Sequence, residues 1–501
     1  MTELDAAFES LPLHAIADAA LDRAARLGAK HASVRVGRVR AGGALLRDGV
    51  TAGSHDTTHT GLAVSVVCGG TRGFAATTEP TPEAAAQVTE RAVAVARACA
   101  ALGGDLGEPA DEPVYPGAAW SSSHRINPFD LPQSEWAAPL AEWSRRLMAA
   151  PDVVHVHAKV KVTQENTFYA DLAGTTAVQQ RVRIHPQLLA LGVDPRTGRA
   201  ETLRTLGPPT ARGLEYLTGE GWDWDDEVAG MPAHLGAKLR AAAAEPGRHD
   251  LVIDPSNLWL TIHETVGHAT ELDRALGHEL GYAGTTFAAP DRLGSLRYGS
   301  GLMNVTADRI AEHGLATVGF DDEGVAAQSW DLVTGGVLTG FQTDRRNARI
   351  VGAERSTGCA FAESGSREPL QRMPNVSLRP APGGPSTADL ISGVSAGIYV
   401  VGSGSWSIDT RRQNFQFTAQ RCHRIRHGRL TGQIRDVAYQ GDSTDFWASL
   451  YALGGPADYR EFGADLCGKG QPVQAAAASH GSPAALFRDV RVLNASQEAA
   501  L

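Results

Sequence analysis

Two histidines and a glutamate lie close together in the chain, at His263, Glu264 and His268. A neutral imidazole is a common ligand of zinc, and a carboxylate beside the metal can take a proton from water and return it to a leaving amine. A metal at such a site lowers the pKa of water and polarises a substrate carbonyl. The pattern therefore predicts metal-assisted hydrolysis, provided that both histidines face one ion.

The spacing of the two histidines sets a condition on the helix that carries them. Positions five apart are separated by about 140° around an ideal α-helix, so they cannot both face one ion. A single π-type turn brings such positions to one face, and turns of this kind are frequent at functional sites. Gly267 lies where the distortion is easiest. Without it, the histidines are structural and hydrogen-bond on opposite faces, and the spacing alone leaves both interpretations open.

A zinc site of this kind needs a third protein ligand from elsewhere in the chain. Cys467 is the candidate, because a thiolate binds zinc strongly and the glycines near it let the backbone approach closely. A lone cysteine is more often a small buried apolar residue, so its presence does not prove the point. Glu271 is a rival ligand, although a solvated helix carboxylate is its simpler interpretation.

Three further patterns match functional motifs in part but have the wrong context. Gly393–Gly397 matches a hydrolase nucleophile elbow, but a helical pattern precedes Ser395 and a strand follows it, which reverses the required order. Gly463–Lys469 matches most of a phosphate-binding loop but lacks the Ser or Thr that reaches magnesium. Asp321–Glu323 offers carboxylates to a hard cation, but a solvated turn ending at Gly324 explains them better.

The composition is that of a globular chain of 501 residues with a net charge of -10 at pH 7. Such an acidic balance gives no basis for unassisted nucleic-acid binding, which needs a basic face. Five cysteines in this length are too few for a disulfide framework. We find no signal-peptide pattern and no apolar run long enough for a membrane span, so we expect a cytoplasmic protein with free thiols.

The first half alternates helical and strand-like patterns. Residues 13–28 and an alanine-rich segment that begins at Thr81 and Pro82 have helical periodicity and start signals. Alternation of apolar and polar residues predicts strands from Val153 to about Leu206, followed by an irregular stretch and a short helix over Pro232–Ala244. Short strand-like runs separated by glycines are predicted at 32–39, 45–51 and 62–67.

In the second half, a strand at Asp250–Asp254 precedes the helix that carries His263, with Asp254 or Ser256 as its cap. Most of the remaining sequence consists of short apolar runs broken by glycine. We therefore predict an α+β protein with helices mainly in the first half and strands mainly in the second. An N-terminal α/β domain of antiparallel strands and helices would span 1–230. A strand-rich C-terminal domain carrying the metal-binding helix would span 231–501.

Beyond the histidine motif, several segments together resemble the TldD/PmbA family of metallopeptidases, specifically its TldD side. The resemblance covers most of the chain, and its N-terminal part is the Leu62–Ala75 stretch, which ends in Gly-Gly-Thr-Arg-Gly-Phe-Ala. The segments that carry it in the second half are 263–271, 303–308, 320–325, 356–358, 372–375 and 467–469. The loop after Lys469 is one residue shorter than the family pattern, and the glycine expected after His268 is absent. These departures bear on the local loop and on substrate preference more than on the metal.

The resemblance implies a zinc peptidase with His263, His268 and Cys467 as ligands and Glu264 as the catalytic carboxylate. It also implies a related partner subunit, TldE or PmbA, that lacks the histidine motif, and flexible or unfolded peptides as substrates. Because the histidine motif and Glu264 are intact, this chain resembles the catalytic subunit. The alternatives are a non-catalytic assembly subunit and a different metal-dependent hydrolase, since metal-activated water also attacks esters and other amides.

Overall fold

The computed structural model describes residues 4–103 and 108–498. The predicted domain limits at 1 and 501 lie outside these ranges. The helices are α1 (Ala6–Glu9), α2 (Leu13–Arg26), α3 (Pro82–Ala101), α4 (Gln133–Met148), α5 (Trp224–Arg240), α6 (Pro255–Ile262), α7 (Leu272–Ala275), α8 (Thr387–Ser392), α9 (Ser443–Ala448) and α10 (Ala495–Glu498). The strands of the first half are β1 (His31–Arg47), β2 (Val50–Cys68), β3 (Thr71–Thr77), β4 (Ala118–Ser121), β5 (Val153–Asp171), β6 (Thr176–Val193) and β7 (Ala200–Arg204).

The strands of the second half are shorter, and most are paired with strands distant in the chain. They are β8 (Ala242–Ala243), β9 (Gly247–Ile253), β10 (Val305–Asp308), β11 (Ser329–Thr334), β12 (Val337–Leu338), β13 (Ala360–Phe361), β14 (Leu370–Gln371), β15 (Asn375–Leu378), β16 (Ala396–Ile408), β17 (Asn414–Arg426), β18 (Arg429–Arg435), β19 (Val437–Asp442), β20 (Leu450–Leu453), β21 (Arg460–Lys469), β22 (Gln474–Ser482) and β23 (Ala485–Asn494).

The N-terminal sheet has the order β3-β2-β1-β5-β6-β4, with β7 also paired to β6. The predicted runs at 32–39, 45–51 and 62–67 belong to one long hairpin of β1 and β2 that turns at Asp48 and Gly49, both at positive φ. The prediction that glycines separate these strands is wrong. Gly42, for example, is inside β1, where a Cβ atom would lie 2.8 Å from the Trp136 ring, so packing rather than a turn requires it.

The two faces of this sheet have different neighbours. Even-numbered residues of β5 and β6, such as Val160 and Ile184, are buried beneath α4 and α5, and α2 and α3 cover the other end of the same face. Odd-numbered residues point the other way. They meet the C-terminal half, as the ion pair of Arg35 with Asp322 (2.7 Å) and the hydrogen bond from Arg181 to the Leu315 carbonyl (2.9 Å) show. One face of the N-terminal sheet therefore packs against helices, and the other packs against the C-terminal half.

Helix α5 begins earlier than the predicted helix over Pro232–Ala244. The Asp223 carboxylate accepts a hydrogen bond from the Asp226 N–H, and Trp224 is buried at the first position. The capping hydrogen bond and the burial of one helix face in the N-terminal core stabilise α5 by more than the internal Pro232 destabilises it. The assignment of 207–230 as irregular is therefore wrong for its last part. The predicted division between 230 and 231 falls within this helix and stays a prediction.

The C-terminal half is built around a ring of strands. Strands β16, β9, β23, β19 and β17 are paired in that order, and β16 also pairs with β17. Smaller sheets, including β12-β11-β10-β15 and β21-β22, pack beside it. The α+β class is confirmed, but strands are as prominent in the first half as in the second, contrary to expectation. Within the described residues, no helix is long and apolar enough to cross a membrane.

Candidate metal centre

The helix that follows β9 ends in the distortion that the histidine spacing requires. Helix α6 starts after Asp254, whose carboxylate accepts a hydrogen bond from the Ser256 N–H, and continues into a π turn over His263–Gly267. The His268 N–H donates to the His263 carbonyl, five residues earlier. The two imidazole rings consequently lie 4.7 Å apart, centroid to centroid. The predicted distortion is present, and both histidines lie on one side of the helix.

Neighbouring side chains satisfy the carbonyl groups of this turn. The Tyr298 hydroxyl donates to the Thr265 carbonyl, and the Gln342 amide donates to the Gly267 carbonyl at 2.5 Å. A Cβ atom at Gly267 would lie 2.4 Å from the Met373 sulfur, so a larger residue here would have to displace the buried Met373 side chain. The buried turn is thus held by the surrounding chain, since a free carbonyl group here would be costly.

Three potential ligands converge beside the turn. One ligand atom each from His263, His268 and Cys467 lies within 4.8 Å of the others, and all three side chains are buried. The Cys467 sulfur is 3.3 Å from His268 Nε2. Ligands on one tetrahedral zinc ion, at zinc's usual bond lengths to sulfur and nitrogen, are about 3.6 Å apart. The separation of Cys467 and His268 is close to that value, and a donor set of two imidazoles and a thiol fits zinc.

A third buried histidine fixes the proton on His263. The Nδ1 atom of His480 is 2.9 Å from the Val376 carbonyl, and its Nε2 atom is 2.7 Å from His263 Nδ1. A carbonyl can only accept, so His480 must carry its proton on Nδ1 and accept at Nε2. His263 must therefore donate from Nδ1, which leaves its Nε2 atom unprotonated and available to a metal.

A buried carboxylate does the same for His268. Glu271 Oε2 is 2.9 Å from His268 Nδ1, so the proton lies on Nδ1 and Nε2 is available. Lys469 and Arg274 contact Glu271 at 3.2 Å each. Burial disfavours its charge, but Lys469 and His268 outweigh that effect and hold the pKa of Glu271 well below its ordinary value. The interpretation of Glu271 as a solvated carboxylate is therefore wrong: it is buried and hydrogen-bonds the candidate ligand His268.

The electrostatics of the three candidate ligands favour metal binding. Burial lowers the pKa of both His263 and His268, which keeps the imidazoles neutral. Burial alone would raise the pKa of Cys467, but the neighbouring His268 reverses this and lowers it. Neutral imidazole and thiolate are the forms that bind zinc.

Glu264 lies beside the candidate ligands and is held by an arginine. Its Oε2 atom is 2.5 Å from Nη1 of Arg412, and both side chains are largely buried. Arg412 adopts a left-handed backbone conformation, φ 60°, in the turn between β16 and β17, a conformation that few residues other than glycine adopt. The pair fixes the direction of the carboxylate at the edge of the site.

The site opens on a cleft of about 680 Å³ between the N-terminal sheet and the C-terminal half. Candidate ligands and Glu264 form part of its wall, together with Trp259 and Arg412. Strand β21 contributes residues 462–468. The volume of the cleft is within the range of small-molecule binding sites.

The three partial motif matches, at Gly393–Gly397, Gly463–Lys469 and Asp321–Glu323, have the structural contexts predicted for them, except that the third is buried. Helix α8 ends just before Gly393, and β16 begins at Ala396, directly after Ser395. Gly463–Lys469 belongs to strand β21. Asp321–Glu323 forms the predicted turn, but the turn is buried rather than solvated. Arg35 and Arg72 from the N-terminal sheet pair with its carboxylates, a compensation from distant sequence that composition does not reveal.

Sequence reasoning missed Arg412 and His480. Each is a single residue of a common type, without a motif around it, and each lies more than a hundred residues from His263 along the chain. Nothing in one sequence pairs them with the helix. The signal for His480 is indirect: a histidine that binds a metal through one ring nitrogen usually hydrogen-bonds a buried partner through the other.

Known proteins resemble this chain over most of its length. A family model described as the PmbA/TldA metallopeptidase C-terminal domain matches residues 246–494, and one described as PmbA/TldA metallopeptidase domain 1 matches 32–96. A metalloprotease of Methanothermobacter thermautotrophicus is 27% identical over 446 residues, which are 89% of this chain and 92% of that protein. A zinc metalloprotease TldD homolog of Saccharolobus solfataricus is 25% identical over 54% of this chain and 57% of its own length.

Solved structures share the fold. TldE from Thermococcus kodakarensis superposes with a TM-score of 0.74 at 15% identity, covering 94% of this chain and 98% of that one. A putative modulator of DNA gyrase from Bacteroides thetaiotaomicron gives 0.72 at 15% identity, covering 96% and 98%. The family assignment rests on sequence: the two family models match segments in both halves, and relatives named as metalloproteases match as well. The chain belongs to the PmbA/TldD family of metallopeptidases.

Proposed function

We propose that this protein is a TldD-type, zinc-dependent peptidase that hydrolyses peptide bonds in unfolded or flexible peptides. The observation that carries the proposal is the convergence of His263, His268 and Cys467 within 4.8 Å, beside Glu264 and open to the cleft. A relative named as a zinc metalloprotease supports the choice of metal.

The roles of the side chains follow from their positions. His263, His268 and Cys467 would hold zinc, which supplies polarisation of the substrate carbonyl and activation of water. Glu264 takes the proton of the attacking water and delivers it to the leaving amine. Arg412 aims the Glu264 carboxylate, and its guanidinium lies where it can also favour negative charge developing on the substrate.

The backbone of β21 offers a means of holding the substrate. Among the described residues this strand is paired with β22, and no ladder is formed on its other side. An extended peptide can add to such an edge through main-chain hydrogen bonds, which give affinity with little sequence choice. Peptides with N-methylated backbone amides should then be cleaved poorly, and unchanged cleavage would rule out strand addition.

We further propose that the protein works with a TldE/PmbA-like subunit or with a second copy of itself. The likeness of fold to TldE supports related subunits of similar shape. A cytoplasmic location stays a prediction. Light scattering of the purified chain, alone and mixed with a TldE-like protein encoded by the same genome, tests the partnership through the mass of the complex.

Replacement of Glu264 by glutamine tests the proposed mechanism. We expect the variant to keep its zinc and to lose most of its peptidase turnover, because the proton acceptor is removed and the ligands remain. Glu354→Gln, at an exposed glutamate outside the cleft, is the matched control and should keep normal activity. Near-normal turnover in the Glu264 variant would contradict the assigned role.

A further inference from the structure

The N-terminal wall of the cleft is rich in basic side chains. Lys159, His185 and Arg204 line the same cavity as the candidate metal ligands. In the ladders of the sheet, Lys159 lies opposite Gln187, and Arg204 lies opposite Leu189. Opposite residues share a face of the sheet, as do residues two apart along a strand. These side chains therefore project from the face that does not carry the helices.

The same register adds Lys161 to this face, because it lies opposite His185. We call Lys159, Lys161, His185 and Arg204 the cationic wall. The Asp465 carboxylate, on strand β21 of the C-terminal half, lies 3.2 Å from His185 Nδ1 and 3.6 Å from Lys161 Nζ.

The wall has more positive charge than its neighbours neutralise. Asp465 is shared by Lys161 and His185, and the charge of Lys159 also helps to lower its pKa. The other carboxylate of the cleft, Glu264, is paired with Arg412. Within the described ranges, neither Lys159 nor Arg204 forms an ion pair.

Arg204 is the more informative of the two unpaired cations. Its guanidinium donates to the carbonyl and hydroxyl groups of Ser403 at 3.0 and 3.3 Å, which are neutral acceptors. Burial lowers the pKa of Arg204, and no nearby carboxylate opposes the shift. A partly buried cation without a counter-ion is costly to the protein alone, and an anionic ligand in the cleft would remove that cost.

The location of this charge is unusual for the chain as a whole. The protein has a net charge of -10, yet the cleft that leads to the metal site has unpaired cations on one wall. A cleft of one sign raises the local concentration of ligands of the opposite sign. Two free cations are too few for a nucleic-acid backbone, whose binding depends on many phosphate contacts.

We propose that the cleft selects peptides with acidic side chains, whose carboxylates bind Lys159 and Arg204 while the backbone lies over the candidate metal site. This inference rests on the proposed peptidase function and names its substrate class. Alternate side chains of an extended segment point to opposite sides. Acidic residues at every second position would therefore all face the cationic wall.

The test compares matched peptides of about ten residues, in which glutamate alternates with serine in one and glutamine with serine in the other. Binding is followed by stopped-flow fluorescence anisotropy with the unsubstituted zinc-loaded protein, read before cleavage proceeds, because a Glu264→Gln substitution would leave Arg412 as a further unpaired cation in the cleft. We expect the acidic peptide to bind at least about fivefold more tightly at low salt, and the preference to shrink as salt screens the charges.

Substitutions in the cationic wall test whether it causes the preference for the acidic peptide. Lys159→Gln combined with Arg204→Gln should abolish it, and Lys159→Gln alone, at an exposed position, should reduce it without disturbing Ser403. The control removes the same charge elsewhere: Arg426→Gln with Arg429→Gln, two exposed residues of the β17–β18 hairpin outside the cleft, should leave it unchanged.

The outcomes separate the substrate class from the peptidase function. Equal binding of the two peptides, no binding of either, or a preference that survives the double substitution would overturn the proposed substrate class. A single-stranded oligonucleotide that displaces the acidic peptide more effectively than unlabelled peptide would also overturn it. Acidic peptides that bind as predicted but are never cleaved by the unsubstituted zinc-loaded protein would support the substrate class and contradict the peptidase function.

Discussion

Replacing His480 with leucine is expected to weaken zinc binding about 10- to 100-fold, although His480 is not itself a proposed ligand. Its Nε2 atom accepts the hydrogen bond from His263 Nδ1, and its own Nδ1 atom donates to Val376. Leucine fills similar space but accepts no hydrogen bond. His263 would then be free to rotate or to move its proton to Nε2, the atom that the metal needs.

The magnitude follows from the burial of the pair. His480 is 0% exposed and His263 is 4% exposed, so water does not replace the lost partner. A buried donor left without an acceptor costs about 1–3 kcal/mol. Since about 1.4 kcal/mol is a factor of ten in affinity, a cost of about 1–3 kcal/mol corresponds to roughly 5- to 150-fold, which brackets the expected range.

The assay is competition for zinc against a chromophoric chelator, together with the absorption spectrum of the cobalt(II) form. His480→Gln is the conservative variant, because an amide can accept from His263 and donate to Val376, and it should recover most of the affinity. His423→Leu, at a half-buried histidine of β17 outside the cleft, is the control. Zinc affinity within about twofold of normal in His480→Leu, or no recovery with glutamine, would refute this reasoning.

Three other substitutions test the surroundings of the site. Lys469→Met removes one of the two cations that contact the buried Glu271 at 3.2 Å, and should lower the free energy of unfolding in urea by about 3–5 kcal/mol. Gly267→Ala brings a Cβ atom to 2.4 Å from the Met373 sulfur, and should cost about 1–3 kcal/mol in thermal unfolding and reduce zinc content. Burial and neighbouring carboxylates raise the pKa of Asp344 from 3.8 to about 7. The folded state therefore holds a proton that the unfolded chain has released, and stability is lost as the pH rises through about 7. Asp344→Asn should raise the Tm at about pH 8 and have little effect at about pH 4.

Each of the three substitutions has a control that makes the same kind of change at an exposed or unobstructed position. Arg145→Met removes the cation of an exposed pair with Glu142 and should cost less than about 1 kcal/mol. Gly281→Ala adds a Cβ atom where nothing lies within 4 Å and should be nearly neutral. Asp291→Asn, at an exposed position, should shift the Tm equally at both pH values. Site and control variants that behave alike would contradict the structural explanations.

The parts of the site that are local in sequence were predictable. The five-residue spacing of His263 and His268 requires a π turn if both are ligands, and the structure has that turn. The cap at Asp254 and the capping of α3 by Thr81 follow from the residue types at helix starts. Cys467 was a prediction from chemistry and resemblance, and the structure places its sulfur beside His268.

What sequence could not predict depends on contacts between distant segments. Glu271 and the turn at Asp321–Glu323 have the composition of solvated surface, but Lys469 and arginines of the N-terminal sheet compensate their charge and allow burial. Gly42 lies inside β1 because the Trp136 ring of α4 packs against it. In each case the residue type is explained by a partner far away in the chain, which a single sequence does not identify.

The measurement that tests the central claim most directly is the zinc content per chain, by mass spectrometry, of the parent protein and of Cys467→Ala. We predict about one zinc per chain in the parent and a clear loss in the variant, because Cys467 would join the two histidines in one site. No bound metal in the parent after zinc is supplied would make the histidines structural and contradict the proposed peptidase. Zinc retained in full by the variant would contradict the assignment of Cys467 as a ligand.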